Sequence, residues 1–277
     1  MPLALIISSH VAASHVGGTA QASALSILQI DSMVLPTVLY GRHPGWGAPG
    51  GARVARETLE GMLDGIEANG LLAQTDLVVT GYFASPEQVA VAARAIDMAR
   101  RGRTGLQPVV IVDPTLGDGG KLYVPAQVAT AVIEELIPRA DILAPNVWEL
   151  SFLAGADIRT PQDALAAARG LGKPVLVSSI DLGEDIGVIY ADDNDAWMAI
   201  HPRAPSAPKG TGDLLTALFG AALLDGLAGP DALSRAVSGV AETVAAALAS
   251  SAAELPIVSM AQGLKANSPR VRLEPLA

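Results

Sequence analysis

The chain is punctuated by short runs that are apolar on both faces: Leu3–Ser8, Met33–Leu39, Leu77–Thr80, Val109–Val112, Ile142–Leu143 and Val175–Ser178. A strand with one wet face alternates apolar and polar residues, so runs without that alternation belong to strands covered on both sides. Amphipathic stretches near 19–29, 52–69, 86–101, 125–137, 147–154, 161–170, 212–225 and 230–250 fall between and after these runs. Strand and helix alternating in this way predict an α/β fold, a mostly parallel sheet with helices on both faces. Ile186–Tyr190 and Ala196–His201 flank Asp192-Asp193-Asn194, a hairpin signature, so the sheet is expected to end in an antiparallel edge. The rhythm continues past the Gly/Pro-rich segment Gly41–Gly51, and one domain over residues 1–277 is expected.

Composition then narrows the function. The net charge is −10 although only 17% of residues are charged. An acidic surface argues against nucleic acid as the main partner, because phosphate backbones need Lys and Arg. A nucleotide stays open, since helix N-termini, a few cations and Mg²⁺ can hold one locally. The absence of cysteine excludes disulfides, thiolate catalysis and Cys-bound zinc. Histidines stand at 10, 15, 43 and 201, with no HExxH spacing. Met1–Ser9 is apolar without a basic flank and reads as a first strand, not a leader. The Ala-rich stretch Ala236–Ala253 carries Glu242 and several serines and reads as a packed helix. No membrane partner is expected, and the cytoplasm is the expected compartment.

The strongest chemical signal is Lys209-Gly210-Thr211-Gly212-Asp213, followed by apolar residues at helical spacing through Leu223. A Gly-rich turn entering a helix leaves backbone N–H groups free for an anion. Asp213 in the first turn is placed to take a proton from an alcohol about to attack phosphorus; a plain capped helix is the alternative. In Val109–Asp113-Pro114 a buried strand ends in a carboxylate, where α/β sheets bind ligands. The Gly-rich stretch that follows, Thr115–Lys121, holds Asp118 and reads as a cover or as a simple turn. Asn146 and Glu149 are spaced as a capping box, and equally as a strand-end pair facing Mg²⁺ and phosphate oxygens with Asp113 and Asp118. Ser9 ends the first strand, where its hydroxyl can bond a small ring. His43, between Gly41 and Trp46, is a better ligand candidate than His10 or His15.

Taken in order, Ser9-His10-Val11, Asp113-Pro114-x-x-Gly117-Asp118, Pro145-Asn146-x-x-Glu149 and Gly210-Thr211-Gly212-Asp213 resemble the pyridoxal kinases of the ribokinase-like superfamily. Gly81-Tyr82 and Lys121–Pro125 fit the same pattern, and the likeness spans almost the whole chain. The resemblance implies a three-layer α/β/α kinase working with ATP and Mg²⁺ on pyridoxal, commonly as a homodimer. It implies Asp213 as general base and Gly210, Thr211 and Gly212 as the cradle of the transferring phosphoryl group. Asp113, Asp118 and Glu149 would hold the metal. Asp113, Asn146, Ser178, Ser179, Lys209 and Tyr123 would face ATP, while Ser9, Tyr40, His43 and Tyr82 would line the vitamer pocket. The departures gather at the substrate end: Gly17-Gly18 stands where the family has Gly-Asn, and Gly41-Arg42-His43-Pro44 where it has Ser-Asn-His-Thr. Ala144 replaces a frequent Thr, and Lys209 an apolar residue. A kinase for another hydroxymethyl heterocycle such as hydroxymethylpyrimidine, and a non-catalytic binder of B6 vitamers or nucleotide, remain the alternatives.

Overall fold

Along the first strand, β1 (Leu3–Val11), Leu5 and Ile7 enter one hydrophobic layer while Ala4 and Ile6 enter another. The same split recurs along the chain, because successive strand side chains point to opposite faces. The computed structural model describes residues 1–103 and 105–277. After β1 come α1 (Gly17–Ile27), β2 (Asp31–Tyr40), β3 (Gly51–Arg53), α2 (Arg56–Ala68), β4 (Leu77–Thr80) and α3 (Pro86–Arg101). The middle of the chain forms β5 (Val109–Val112), β6 (Gly117–Asp118), β7 (Lys121–Leu122), α4 (Ala126–Ala131), β8 (Ile142–Leu143), α5 (Val147–Ala154) and α6 (Pro161–Gly170). The last part holds β9 (Val175–Leu182), β10 (Asp185–Ala191), β11 (Ala196–Pro202), α7 (Thr211–Leu224), α8 (Gly229–Ser250) and β12 (Arg272–Pro275).

Among the described residues the main sheet has 10 strands in the order β12-β11-β10-β9-β8-β5-β4-β1-β2-β3. Strands β2, β1, β4, β5, β8 and β9 run parallel. Helices α1, α7 and α8 pack on Ala4, Ile6, Leu77, Val79 and Ile111. On the other face, α2 to α6 pack on Leu5, Ile7, Val78, Val110 and Val112. The result is three layers, with the carboxyl ends of the parallel strands on one rim. Gly220 lets α7 lie close on the sheet, since a Cβ there would sit 2.8 Å from Leu77 Cδ2. That close approach fixes where the N-terminus of α7 meets the rim.

The sheet has antiparallel pairs at both margins, not at one edge as expected. Residues 52 and 53, expected to open a helix, instead pair with β2 as part of β3, and α2 starts only at Arg56. Gly51 takes a φ of +84°, and a Cβ there would meet the Leu39 carbonyl at 1.9 Å, so this crossing needs glycine. Beyond β9 the strands β10, β11 and β12 are all antiparallel. The hairpin turn is held by Asp192, whose Oδ1 accepts the N–H groups of Asn194 and Asp195 at 2.9 Å each. The expected helix 125–137 is α4 followed by a wider turn at Val132–Leu136 and a tight one at Ile137–Arg139. Pro138, with no N–H to donate, stops an α-helix from continuing there. Helix α8 is long and apolar enough, by length and composition, to cross a membrane. Its Ala232, Leu233, Ala236 and Val237 are buried in the same layer as α1 and α7.

Candidate active site

The rim gathers most of the residues singled out by the sequence. Gly210 precedes α7 in the left-handed region, φ +94°, and a Cβ on it would lie 2.1 Å from the carbonyl oxygen of His15. The turn before α7 is thereby pressed onto the loop after β1. No side chain caps α7, so the first-turn N–H groups of Thr211 and Gly212 are available to an anion. The backbone N–H groups of Gly17 and of Asp213 itself lie close enough to the Asp213 carboxyl to favour its charged form. Gly17, at φ +57°, leaves room for Ser9, whose Oγ a Cβ at 17 would meet at 2.0 Å. Ser9, Gly17 and Asp213 therefore form one contiguous floor.

Around that floor lies a group of acids. Asp113 follows β5; its Oδ1 accepts the N–H of Thr115 at 3.1 Å and the Thr115 hydroxyl at 2.8 Å. The Thr216 hydroxyl reaches Asp113 Oδ2 at 3.4 Å and Gly212 O at 3.0 Å, linking β5 to the first turn of α7. Thr115 holds φ +47°, a conformation rare for a β-branched residue. Such strain costs on the order of 1–3 kcal/mol and gathers at ligand sites. Burial pushes the Asp113 carboxyl well above the usual carboxylate range, and the charges of Glu149 and Asp213 push it further. Asp213 is raised to about 6 by desolvation, against the pull of its two backbone donors.

Glu149, expected at the metal, is turned to the backbone. It is 2% exposed and completes a capping box on α5 with Asn146. Its Oε1 accepts the N–H of Leu116 at 2.7 Å and of Gly117 at 3.3 Å, and its Oε2 the N–H of Asn146 at 2.9 Å. Desolvation still raises it to about 7. The Asn146 amide donates to Gly117 O at 2.9 Å. So both residues secure the base of the β6–β7 hairpin, which carries Asp118 and is exposed at its tip. A Cβ on Gly117 would strike the Trp148 ring at 2.3 Å, which seats that base on α5. Tyr123, just past the hairpin, has its phenol pushed up by burial and by the charges of Glu149, Asp113, Asp213 and Asp118. Ser178 bridges to Asn146 along β9, and Ser179 beside it takes φ +68°.

At the other end, Tyr82 and Tyr40 are near neighbours, and burial followed by the Tyr40 charge raises the Tyr82 phenol. The Thr37 hydroxyl donates to the Tyr82 carbonyl at 2.6 Å. His43 Nδ1 accepts the N–H of Gly45 at 3.0 Å, leaving Nε2 as the donor of the neutral ring. Its ring lies 6.4 Å from that of Trp46, edge to face. Burial lowers the His43 pKa, the Lys209 charge lowers it further, and Glu254 opposes both. The Lys209 charge thus bears on the Gly41–Gly51 loop.

Among the described residues no three metal-binding side chains form a ready-made cage. A hard cation carried on phosphate oxygens nevertheless fits. Mg²⁺ commonly keeps waters and takes only one or two carboxylates, and Asp113 is held among other acids that a cation would relieve. The arrangement sets a half-buried carboxyl beside an uncapped helix start and a second acid, a combination able to serve phosphoryl transfer between oxygens. Sequence reading passed over Thr115, Thr216 and Glu254. Thr216 left one trace, a hydroxyl on the apolar stripe of α7 one turn after Asp213.

The sequence pattern of the phosphomethylpyrimidine kinase family matches residues 60–258. The pyridoxal kinase PdxY of Rubrobacter xylanophilus is 34% identical over 272 residues, covering 95% of this chain and 93% of the relative. A pyridoxine/pyridoxal/pyridoxamine kinase of Bordetella avium is 34% identical over 252 residues, covering 88% and 83%. The crystal structure of pyridoxal kinase from Entamoeba histolytica superposes with a TM-score of 0.91 at 28% identity, covering 100% of both chains.

Proposed function

The chain belongs to the pyridoxal kinase family of the ribokinase-like superfamily, and from this premise we propose that it transfers the γ-phosphoryl group of ATP to the 5′-hydroxymethyl group of pyridoxal. The observation that carries the reading is Asp213, a desolvated carboxyl raised to about 6, beside the uncapped start of α7. In the proposed reaction the Asp213 carboxylate accepts the proton of the attacking hydroxyl. The hydroxyl oxygen bonds to the γ-phosphorus as the bond to the ADP oxygen breaks. The N–H groups of Gly210, Thr211 and Gly212 receive the charge on the transferring group. A general base near the operating pH contributes roughly 10²–10⁴ in rate.

Asp113 and Asp118 would hold Mg²⁺, directly or through water, with Glu149 behind them. When bound, the ion neutralises phosphate charge. Asn146, Ser178, Ser179 and Tyr123 are the proposed nucleotide contacts. Ser9, Tyr40, Tyr82 and His43 are the proposed vitamer contacts, with Lys209 beside His43. The β6–β7 hairpin, hinged on Asn146 and Glu149, is proposed to close over the phosphates and exclude water. The proposal takes the whole chain as one kinase domain, acting in the cytoplasm as a homodimer.

ADP release measured with pyridoxal, pyridoxine, pyridoxamine and hydroxymethylpyrimidine tests the reading. The expected order puts pyridoxal above hydroxymethylpyrimidine in kcat/KM. Turnover of hydroxymethylpyrimidine alone would move the substrate to the other branch. ATP binding without turnover of any of them would leave a binding protein.

A further inference from the structure

Glu254 lies after α8, far in sequence from the motifs at the rim. Its Oε2 accepts the Ser14 hydroxyl and the His15 N–H, each at 2.9 Å. Its Oε1 is buried without a hydrogen-bond partner among the described residues, and so is His15 Nδ1. A half-satisfied carboxylate is a poor device for stability, since the unpaired oxygen carries a desolvation cost that an apolar contact would not.

What Glu254 holds is the segment joining β1 to α1. Three parts of the site lean on that segment. Gly210 is pressed against the His15 carbonyl, within 2.1 Å of where its Cβ would be. Gly17 is packed on Ser9, where a Cβ at 17 would meet Oγ at 2.0 Å, and its N–H favours the charged Asp213 carboxyl. The N–H groups of Ala12 and Ala13 donate to the carbonyls of Tyr40 and Gly41 at 2.8 and 3.0 Å, which ties down the start of the Gly41–Gly51 loop.

We infer that Glu254 is a positioning residue for the phosphoryl transfer: by clamping Ser14 and His15 it fixes the backbone on which the Gly210 turn, and with it the start of the helix carrying Asp213, is seated. The inference rests on the proposed function for its kinetic consequence. Glu254 acts through the main chain. Its removal lets the donor at Gly17 and the turn at Gly210 drift, and a small misplacement of reacting groups is costly in rate.

Glu254→Ala and Glu254→Gln test this together. The Ala variant is expected to lose roughly ten- to a hundredfold in kcat for pyridoxal, with KM for ATP nearly unchanged. The Gln amide oxygen can accept the same two hydrogen bonds, so the Gln variant should recover most of that loss. In the ligand-free protein, amide exchange at His15 and Gly17 should quicken in the Ala variant and not in the Gln variant. An unchanged kcat in Glu254→Ala would overturn the inference. So would a fall in kcat that tracks melting temperature and that Gln does not rescue. If the wild-type protein phosphorylates no vitamer, the functional reading fails, and exchange at His15 and Gly17 still decides whether Glu254 clamps the segment.

Discussion

At Asp213 burial and hydrogen bonding pull in opposite directions, and burial wins, leaving the carboxyl at about 6. A base must be ionised to accept a proton, so kcat should fall as pH drops through about 6; a rate unchanged down to about pH 4.5 would remove Asp213 from the role. The same burial has a stability signature. Asp213 at about 6, Glu149 at about 7 and Asp113 well above its usual range bind protons more readily folded than unfolded. Unfolded Asp and Glu titrate at about 3.9 and 4.3. Their contribution is therefore fully present below those values and is lost as pH rises through the folded ones. The melting temperature of the ligand-free protein should fall from about pH 5 to about pH 8, and less steeply in Asp113→Asn. An equal slope in that variant would mean the acids at the rim do not carry the effect.

Among the elements, the β6–β7 hairpin depends most on single contacts. Glu149 satisfies three backbone N–H groups at its base. Glu149→Ala leaves them buried and should cost about 2 kcal/mol or more, read as a lower melting temperature, with faster amide exchange over residues 116–124. Exchange there equal to wild type would show that the hairpin is seated by Trp148 alone. Which elements could be read beforehand follows from burial. The parallel strands announced themselves because both faces are covered, as in Val109–Val112 and Leu77–Thr80. β3 and β12 did not, because they are short margin strands with mostly exposed residues. The proposed base could be singled out beforehand because Gly210-Thr211-Gly212-Asp213 stands before a clear helical stripe. Thr115 and Glu254 were not, since one acts through a strained turn and the other through packing that joins the two ends of the chain. Asn146 and Glu149 were legible as a pair, and the structure gives that pair to backbone support.

Across the whole molecule, a net charge of −10 coincides with acids crowded at the rim where ATP is proposed to bind. Two sets of negative charge can share that rim only with a cation between them. Excess EDTA should therefore abolish turnover, and added Mg²⁺ should restore it; full activity in EDTA would contradict the proposed roles of Asp113 and Asp118. The fold places β5, β8 and β9 on one side of β1 and β2 on the other. Nucleotide and vitamer are thereby proposed to meet at α7, which touches the β5 side through Thr216 and the segment after β1 through Gly210 at its start. At this meeting point Asp213 is proposed to deprotonate a vitamer hydroxyl. The direct measurement is formation of pyridoxal 5′-phosphate from pyridoxal and Mg·ATP, by wild type and by Asp213→Asn of equal melting temperature. Product is expected from the wild type, and a fall of roughly 10²–10⁴ in kcat from the variant, with ATP still bound. Product at near wild-type rate from Asp213→Asn would show that Asp213 is not the base.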